Sequence, residues 1–180
     1  MKIEIVDLTE KNLKDTPEWE SPPFSCRYCI YWEFSVGFIE PAKEKNDIMK
    51  KKLRWLKNTR EVFGSCGKIL YVNRKPSGYA QYAPSTLLPN SANYPSLPSN
   101  DAVLIACLFI VDKELRRRGL GRYLLKSIID DLRIRRVKTV ETFARKGSPE
   151  NPSGPVEFYL RNGFRIYKDD LEFPLMRLDL

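Results

Sequence analysis

The chain of 180 residues contains no histidine. This removes the Ser-His and Cys-His hydrolase arrangements, whose base is an imidazole. It also removes the common metal sites that need imidazole ligands, and no metal is expected. No apolar run reaches the roughly 18 residues of a membrane span, so no membrane partner is expected. The opening MKIEIVDLTEKN lacks the basic stretch and apolar block of a signal peptide. A cytoplasmic protein follows, in which the four cysteines are reduced thiols rather than disulfides. Internal repeats and a dividing linker are also missing, so residues 1–180 read as one domain.

The charge is one-sided. The net +8 concentrates at Lys50–Arg60, Arg116–Arg122 and Arg133–Lys138. Such a surplus can serve nucleic acid, an anionic membrane or a phosphorylated small molecule, and its plain reading is a solvated surface. A nucleic-acid-binding module interleaves its basic residues with aromatics on one face. Here the densest cluster, RRRGLGR at 116–122, runs into an apolar stripe, which favours a compact anion over a nucleic acid.

Hydrophobic periodicity gives the elements. Ile3–Val6 reads as a strand, and Asn46–Phe63 as a helix with Met49, Leu53, Leu56 and Arg60 along its stripe. Asn46 or Asp47 is the expected cap, and Gly64 the expected stop. Residues 68–73 and 78–83 form a hairpin linked by RKPS. Four prolines keep 84–100 irregular. Residues 102–111 are a strand buried on both faces. The next helix carries Leu120, Leu124, Leu125, Ile128, Ile129 and Leu132. A strand at 139–144, a loop at 145–154, a short helix PVEFYLRN closed by Gly163, and two last strands complete a mixed α/β domain around one sheet.

A strand that feeds a glycine-rich turn opening a helix is an anion site by construction. The first helical turn has N–H groups without partners, and the helix dipole places partial positive charge there. Gly119 and Gly121 let an oxygen-rich ligand approach the backbone. The same segment has a plain alternative, a solvated basic turn. A P-loop GxxxxGK(S/T) is absent. A dinucleotide fold is also disfavoured, since the turn falls late and Leu124 stands at the third glycine position.

Arg116-x-x-Gly119-x-Gly121 resembles the Q/R-x-x-G-x-G/A signature of the GNAT N-acetyltransferase superfamily, and FYLRNGF at 158–164 resembles its second signature. Together they cover residues 102–167. The resemblance implies a mixed, mostly antiparallel sheet with flanking helices, whose strands at 102–111 and 139–144 splay apart. It implies acetyl-CoA as co-substrate. The pyrophosphate would lie at Arg116, Arg117, Arg118, Gly119, Leu120, Gly121 and Arg122, and the pantetheine arm would pair with Phe109, Ile110 and Val111. Tyr159 matches the family tyrosine that can protonate the departing thiolate; its other reading is a core aromatic beside Val156 and Leu160. The base that frees the amine is left among Glu33, Glu141 and Asp101. An asparagine common after the second splayed strand is replaced by Ala144-Arg145-Lys146-Gly147, where Arg145 and Lys146 are candidates to reach a phosphate. The acceptor is a small-molecule or peptide amine, with 84–100 and 24–40 as its expected pocket. Family members are often homodimers. A coenzyme A-binding sensor without catalysis is the alternative function.

Cys26-Arg-Tyr-Cys29 has the spacing of half a zinc site, of a redox pair, or of two packed thiols. CRYCIYWE resembles a CxxC, aromatic, Trp-Glu segment of a GNAT-like subgroup and names no substrate.

Overall fold

The computed structural model describes residues 1–35, 44–148 and 151–180. Its elements are β1 (Ile3–Asp7), α1 (Lys45–Phe63), β2 (Gly67–Val72), β3 (Lys75–Pro84), β4 (Ala102–Ile110), α2 (Leu120–Ile134), β5 (Thr139–Phe143), α3 (Val156–Arg161), β6 (Arg165–Lys168) and β7 (Leu175–Asp179). One seven-stranded sheet runs in the order β1-β2-β3-β4-β5-β7-β6. Among the described strands only β4 and β5 form a parallel pair, because α2 carries the chain back between them. The expected mixed, mostly antiparallel sheet is what forms. No described helix is long and apolar enough to cross a membrane.

The α2 stripe forms as its spacing requires. Leu120, Leu124, Leu125, Ile128, Ile129 and Leu132 are all buried against the sheet. Each such side chain contributes about 1.5–3 kcal/mol by leaving water. α2 and α3 cover one face of the sheet, meeting Tyr82, Ile105, Leu108 and Ile110. α1 and the N-terminal segment cover the other face, meeting Ile69, Tyr79, Cys107 and Phe109.

Three local readings differ from the sequence expectation. The β2–β3 turn is the two residues Asn73 and Arg74, at φ 50° and 70°. This left-handed pair matches the twist of the flanking strands, so β3 begins at Lys75 and takes in Pro76. α1 is rolled from its expected face: Lys52, Leu56 and Thr59 are buried, while Val62 is 75% exposed. It begins after Glu44 with no side-chain cap, and Gly64 ends it at φ 93°. The proline-rich 84–100 carries two 3₁₀ turns, Ser85–Leu87 and Pro89–Asn93. Tyr94 pins it, stacking between Trp32 and Phe143 with ring centroids 5.0 and 4.3 Å away.

The feature that shapes the site is a bulge. Gln81 pairs with Cys107 and Tyr82 with Ile105, leaving Ala106 extra in β4. A bulge bends its strand and increases twist. β4 pairs with β5 only from Ala102–Thr139 to Ile105–Thr142, and then follows β3 alone. The sheet forks there.

Candidate active site

Backbone direction decides which groups of β4 face the fork. Val111 N–H donates to Ser77 O on the β3 side, at 2.9 Å. Alternate residues of a strand turn their amides to opposite neighbours, so Ile110 and Leu108 face the fork. Leu108 N–H does so directly, donating to Pro152 O at 3.0 Å. Of the expected Phe109, Ile110 and Val111, only Ile110 presents its amide there. Phe109 and Val111 instead place side chains along a groove of about 570 Å³ that also touches Trp19, Lys113, Arg116 and Pro152. Leu108 was not foreseen, because strand parity depends on the bulge, which an unbroken apolar run does not reveal.

At the far end of β4 the chain turns into α2. Arg116 Nε donates to Ile110 O at 2.9 Å and its Nη2 to Val111 O at 3.4 Å. This arginine staples the end of β4 to the helix start. Gly119 is the N-cap at φ 81°, with no side-chain cap bond. No atom lies within 4 Å of where a Cβ would project from it. Arg117, Arg118 and Arg122 are exposed around this turn. Open backbone, unpartnered first-turn N–H groups and surrounding guanidinium groups fit a pyrophosphate. Arg145 and Lys146 do not join them, since Arg145 pairs with Glu172 and lies over Phe173, and Lys146 pairs with Asp169.

Tyr159 sits at the apex of the fork. Val156 and Tyr159 are buried, whereas Leu160 is 47% exposed and leaves the expected inner face. The Tyr159 hydroxyl donates to Ser153 O at 2.8 Å. Burial raises its pKa well above the ordinary tyrosine range, and the Thr142 hydroxyl beside it opposes that in part. Thr142 closes the last β4–β5 pair, donating to Ile105 O at 2.9 Å. A phenol held neutral there is a hydrogen-bond donor rather than a base.

On the opposite face, behind Cys107, lies a buried polar cluster. Lys52 forms a short ion pair with Glu33 Oε1 and donates to Gln81 Oε1 at 2.6 Å. Gln81 Nε2 donates to Glu33 Oε1 at 2.9 Å, and the Tyr79 hydroxyl donates to Gln81 Oε1 at 2.7 Å. Glu33 Oε2 is buried with no partner among the described residues. Burial works against the Lys52 charge, but the Glu33 carboxylate, together with the nearby Cys29 and Cys26, outweighs it and raises the pKa. Sequence reading missed Lys52, a lysine bordering an apolar stripe; its i, i+4 relation to the buried Leu56 was the available signal.

Lys52→Met is expected to lower stability by about 3–5 kcal/mol, because it strands a buried carboxylate. The melting temperature should fall by about 6–20 °C. Adding Glu33→Gln removes the stranded charge and should return most of the loss. Thermal denaturation of the two variants checks this; equal melting in the single variant would show that water reaches Glu33 freely.

Glu141 is not free to act as a base. It is fully buried, and its oxygens accept from Ser99 N–H at 2.8 Å, Ser99 Oγ at 2.7 Å and Arg177 Nη1 at 3.0 Å. Asp101 is likewise paired with Arg177, at 3.1 Å. Together they anchor the end of the 84–100 loop to β5 and β7. Glu33 is the one candidate base that reaches the sheet beside the bulge, through Gln81. Trp32, Tyr94 and Tyr31 stand near it, with the Tyr31 and Tyr94 hydroxyls 3.3 Å apart. Tyr82 faces α2 instead, 3.2 Å from Asp131. Residues 36–40 of the expected acceptor pocket lie outside the described residues.

The thiols gather on the same face. Burial pushes Cys66 and Cys107 up to about 12 and raises Cys26 and Cys29 as well. Thiols held protonated are poor nucleophiles and poor ligands. Among the described residues no group of three or more His, Cys, Asp or Glu is placed to hold a metal ion.

A mixed sheet that forks past a bulge, beside a glycine-led helix start, defines an acetyltransferase-type fold. Residues 69–166 match the family model of the acetyltransferase (GNAT) domain, and the chain belongs to this family. No curated protein matches it in sequence. Among solved structures it is similar to the PaiA N-acetyltransferase of Thermoplasma acidophilum in complex with coenzyme A, with TM-score 0.63 and 14% identity over 100% of both chains. It is also similar to the ribosomal-protein-alanine N-acetyltransferase of Brucella melitensis, with TM-score 0.59 and 18% identity over 98% of this chain and 99% of that one. The ribosomal-protein-S18-alanine N-acetyltransferase of Escherichia coli gives TM-score 0.55 and 19% identity over 99% of this chain and 94% of that one.

Proposed function

We propose that the chain is an acyl-CoA-dependent N-acetyltransferase that moves an acetyl group from acetyl-CoA to a small-molecule or peptide amine by direct attack. The observation that carries this reading is the fork. Along it follow an open helix start at Gly119, the fork-facing amides of Ile110 and Leu108, and the neutral hydroxyl of Tyr159.

Acetyl-CoA supplies the acyl group and a thiolate leaving group. The backbone N–H groups of the first α2 turn hold the pyrophosphate, and Arg117, Arg118 and Arg122 add charge around it. Ile110 and Leu108 pair with the pantetheine amides as a strand edge would. Glu33 takes the amine proton at its buried, unpartnered Oε2, relayed by a bound water. Tyr159 donates a hydrogen bond to the thiolate as charge develops. An ordinary thiol has a pKa of about 8.5, below that of the buried phenol, so complete proton transfer from Tyr159 is uphill. Its contribution is charge stabilisation, with the proton supplied from solvent. The cytoplasm and a homodimer are consistent with this reading, and nothing in it requires nucleic acid or a membrane.

The test is a panel of amines, covering polyamines, aromatic amines, amino acids and peptide N-termini, incubated with acetyl-CoA while free thiol is measured. Release that depends on one amine class, with the acetylated amine seen by mass spectrometry, is expected. Tight acetyl-CoA binding with no turnover on any class would instead favour the sensor.

A further inference from the structure

The fork already contains a segment of the chain. On the β4 side, Pro152 O accepts from Leu108 N–H at 3.0 Å. On the β5 side, Arg145 N–H donates to Gly154 O at 2.8 Å, and Val156 N–H donates to Arg145 O at 3.3 Å. Arg145 and Pro155 form an isolated parallel bridge. Residues 152–156 therefore bond to β4 on one side and to the chain just past the end of β5 on the other, as an inserted strand would. Ser153 is buried at 5% exposure, and its carbonyl accepts from the Tyr159 hydroxyl.

The segment is fitted to this place. Asn151 turns the chain into it, its Oδ1 accepting from Ser153 N–H at 2.8 Å and its O from Gly154 N–H at 2.9 Å. Gly154 takes φ +77°, and a Cβ there would stand 3.4 Å from the Tyr159 ring. A glycine suits both the left-handed backbone and the close approach.

We propose that residues 152–156 are a built-in plug that occupies the donor arm's place in the fork, and that acetyl-CoA binds only after it withdraws. The inference rests on the acetyltransferase reading above. Leu108 N–H is a single donor held at normal distance by Pro152 O, so it does not serve a second acceptor in the same geometry. The hydroxyl of Tyr159 is likewise engaged by Ser153. One displacement thus frees both the strand edge that receives the donor and the phenol that meets the leaving group. Without the donor, the plug keeps water from the apex and leaves few backbone groups unpaired.

A protein whose binding-competent state is a fraction of the whole shows its affinity reduced by that fraction. Loosening the plug therefore strengthens donor binding. Pro152→Gly/Ser153→Gly raises the freedom of the displaced segment, and Asn151→Ala removes the turn that feeds it. Both keep the residues of the helix start, of β4 and Tyr159 unchanged, and they act only on the segment bonded to them. Acetyl-CoA association is followed by stopped-flow tryptophan fluorescence, Trp19 lining the groove, and equilibrium affinity by calorimetry. In the wild type the observed rate should level off as acetyl-CoA increases, with withdrawal of the plug limiting. In both variants it should keep rising, and affinity should improve about 3- to 30-fold for a withdrawn state of a few per cent. In the unliganded variants, hydrogen exchange at Leu108 and Arg145 should quicken while Leu104 and Val140 stay protected. Unchanged or weaker affinity in both variants, with acetyl-CoA bound by all three proteins, overturns the plug and leaves the acetyltransferase reading standing. No acetyl-CoA binding by any of the three overturns that reading, and the plug with it.

Discussion

Gly121→Asp should abolish the thermal stabilisation that acetyl-CoA gives the wild-type protein. A ligand at 100 times its Kd stabilises by about 2.7 kcal/mol. For a chain of this size that is a rise of about 5–11 °C in melting temperature. Gly121 is the second residue of α2, in the turn whose free N–H groups are the proposed pyrophosphate seat. A Cβ there would meet only the Phe158 ring edge, at 3.4 Å, an ordinary contact. The variant therefore folds. An aspartate in the first turn even favours the helix by about 0.3–1 kcal/mol through the dipole, so the unliganded protein should melt at the same temperature or slightly higher. Its carboxylate competes for the same N–H groups and repels the phosphate. Paired melting curves with and without acetyl-CoA separate the two effects. A wild-type-sized shift in the variant would move the donor site away from α2.

Tyr159→Phe should slow acetyl transfer by about 10²- to 10³-fold, the scale of losing one preorganised donor at a developing negative charge. The loss should lie in turnover; acetyl-CoA affinity should not weaken, and it rises at most a few-fold as the Ser153 bond that helps hold the plug is removed. The phenyl ring keeps the packing with Phe158 and Phe164, at centroid distances of 5.1 and 5.2 Å. What is lost is the bond to Ser153 O in the unliganded state, worth about 0.5–1.5 kcal/mol net, so a small drop in melting temperature accompanies the kinetic defect. Single-turnover acetylation of the amine found by the panel measures the chemical step apart from product release. Wild-type rates with that small drop would reduce Tyr159 to a core residue.

The two predictions draw on different kinds of information. α2 was legible in full, since six apolar residues at helical spacing have one way to be buried together, and the glycines before them mark an open helix start. Gly64 and Gly163 marked helix ends for a similar local reason: both take positive φ, at 93° and 88°, which suits glycine. Those parts of the site are written in residues close together along the chain.

The rest depends on contacts between distant segments. An unbroken apolar run showed that residues 102–111 are buried, but not that Ala106 bulges. The bulge decides that Leu108 and Ile110, rather than Phe109 and Val111, turn their amides to the fork. Three carboxylates looked alike as bases until Arg177 from β7 engaged Glu141 and Asp101, and Lys52 from α1 met Glu33. None of these three pairings is local, with partners 19 to 76 residues apart in sequence. The sequence by itself determined the elements and the glycine-led start of α2, because short-range periodicity and backbone freedom decide them. Only the tertiary structure decided the strand parity at the fork, the partners of each buried charge and the segment that lies in the fork, because register and burial arise when remote parts of the chain pack together.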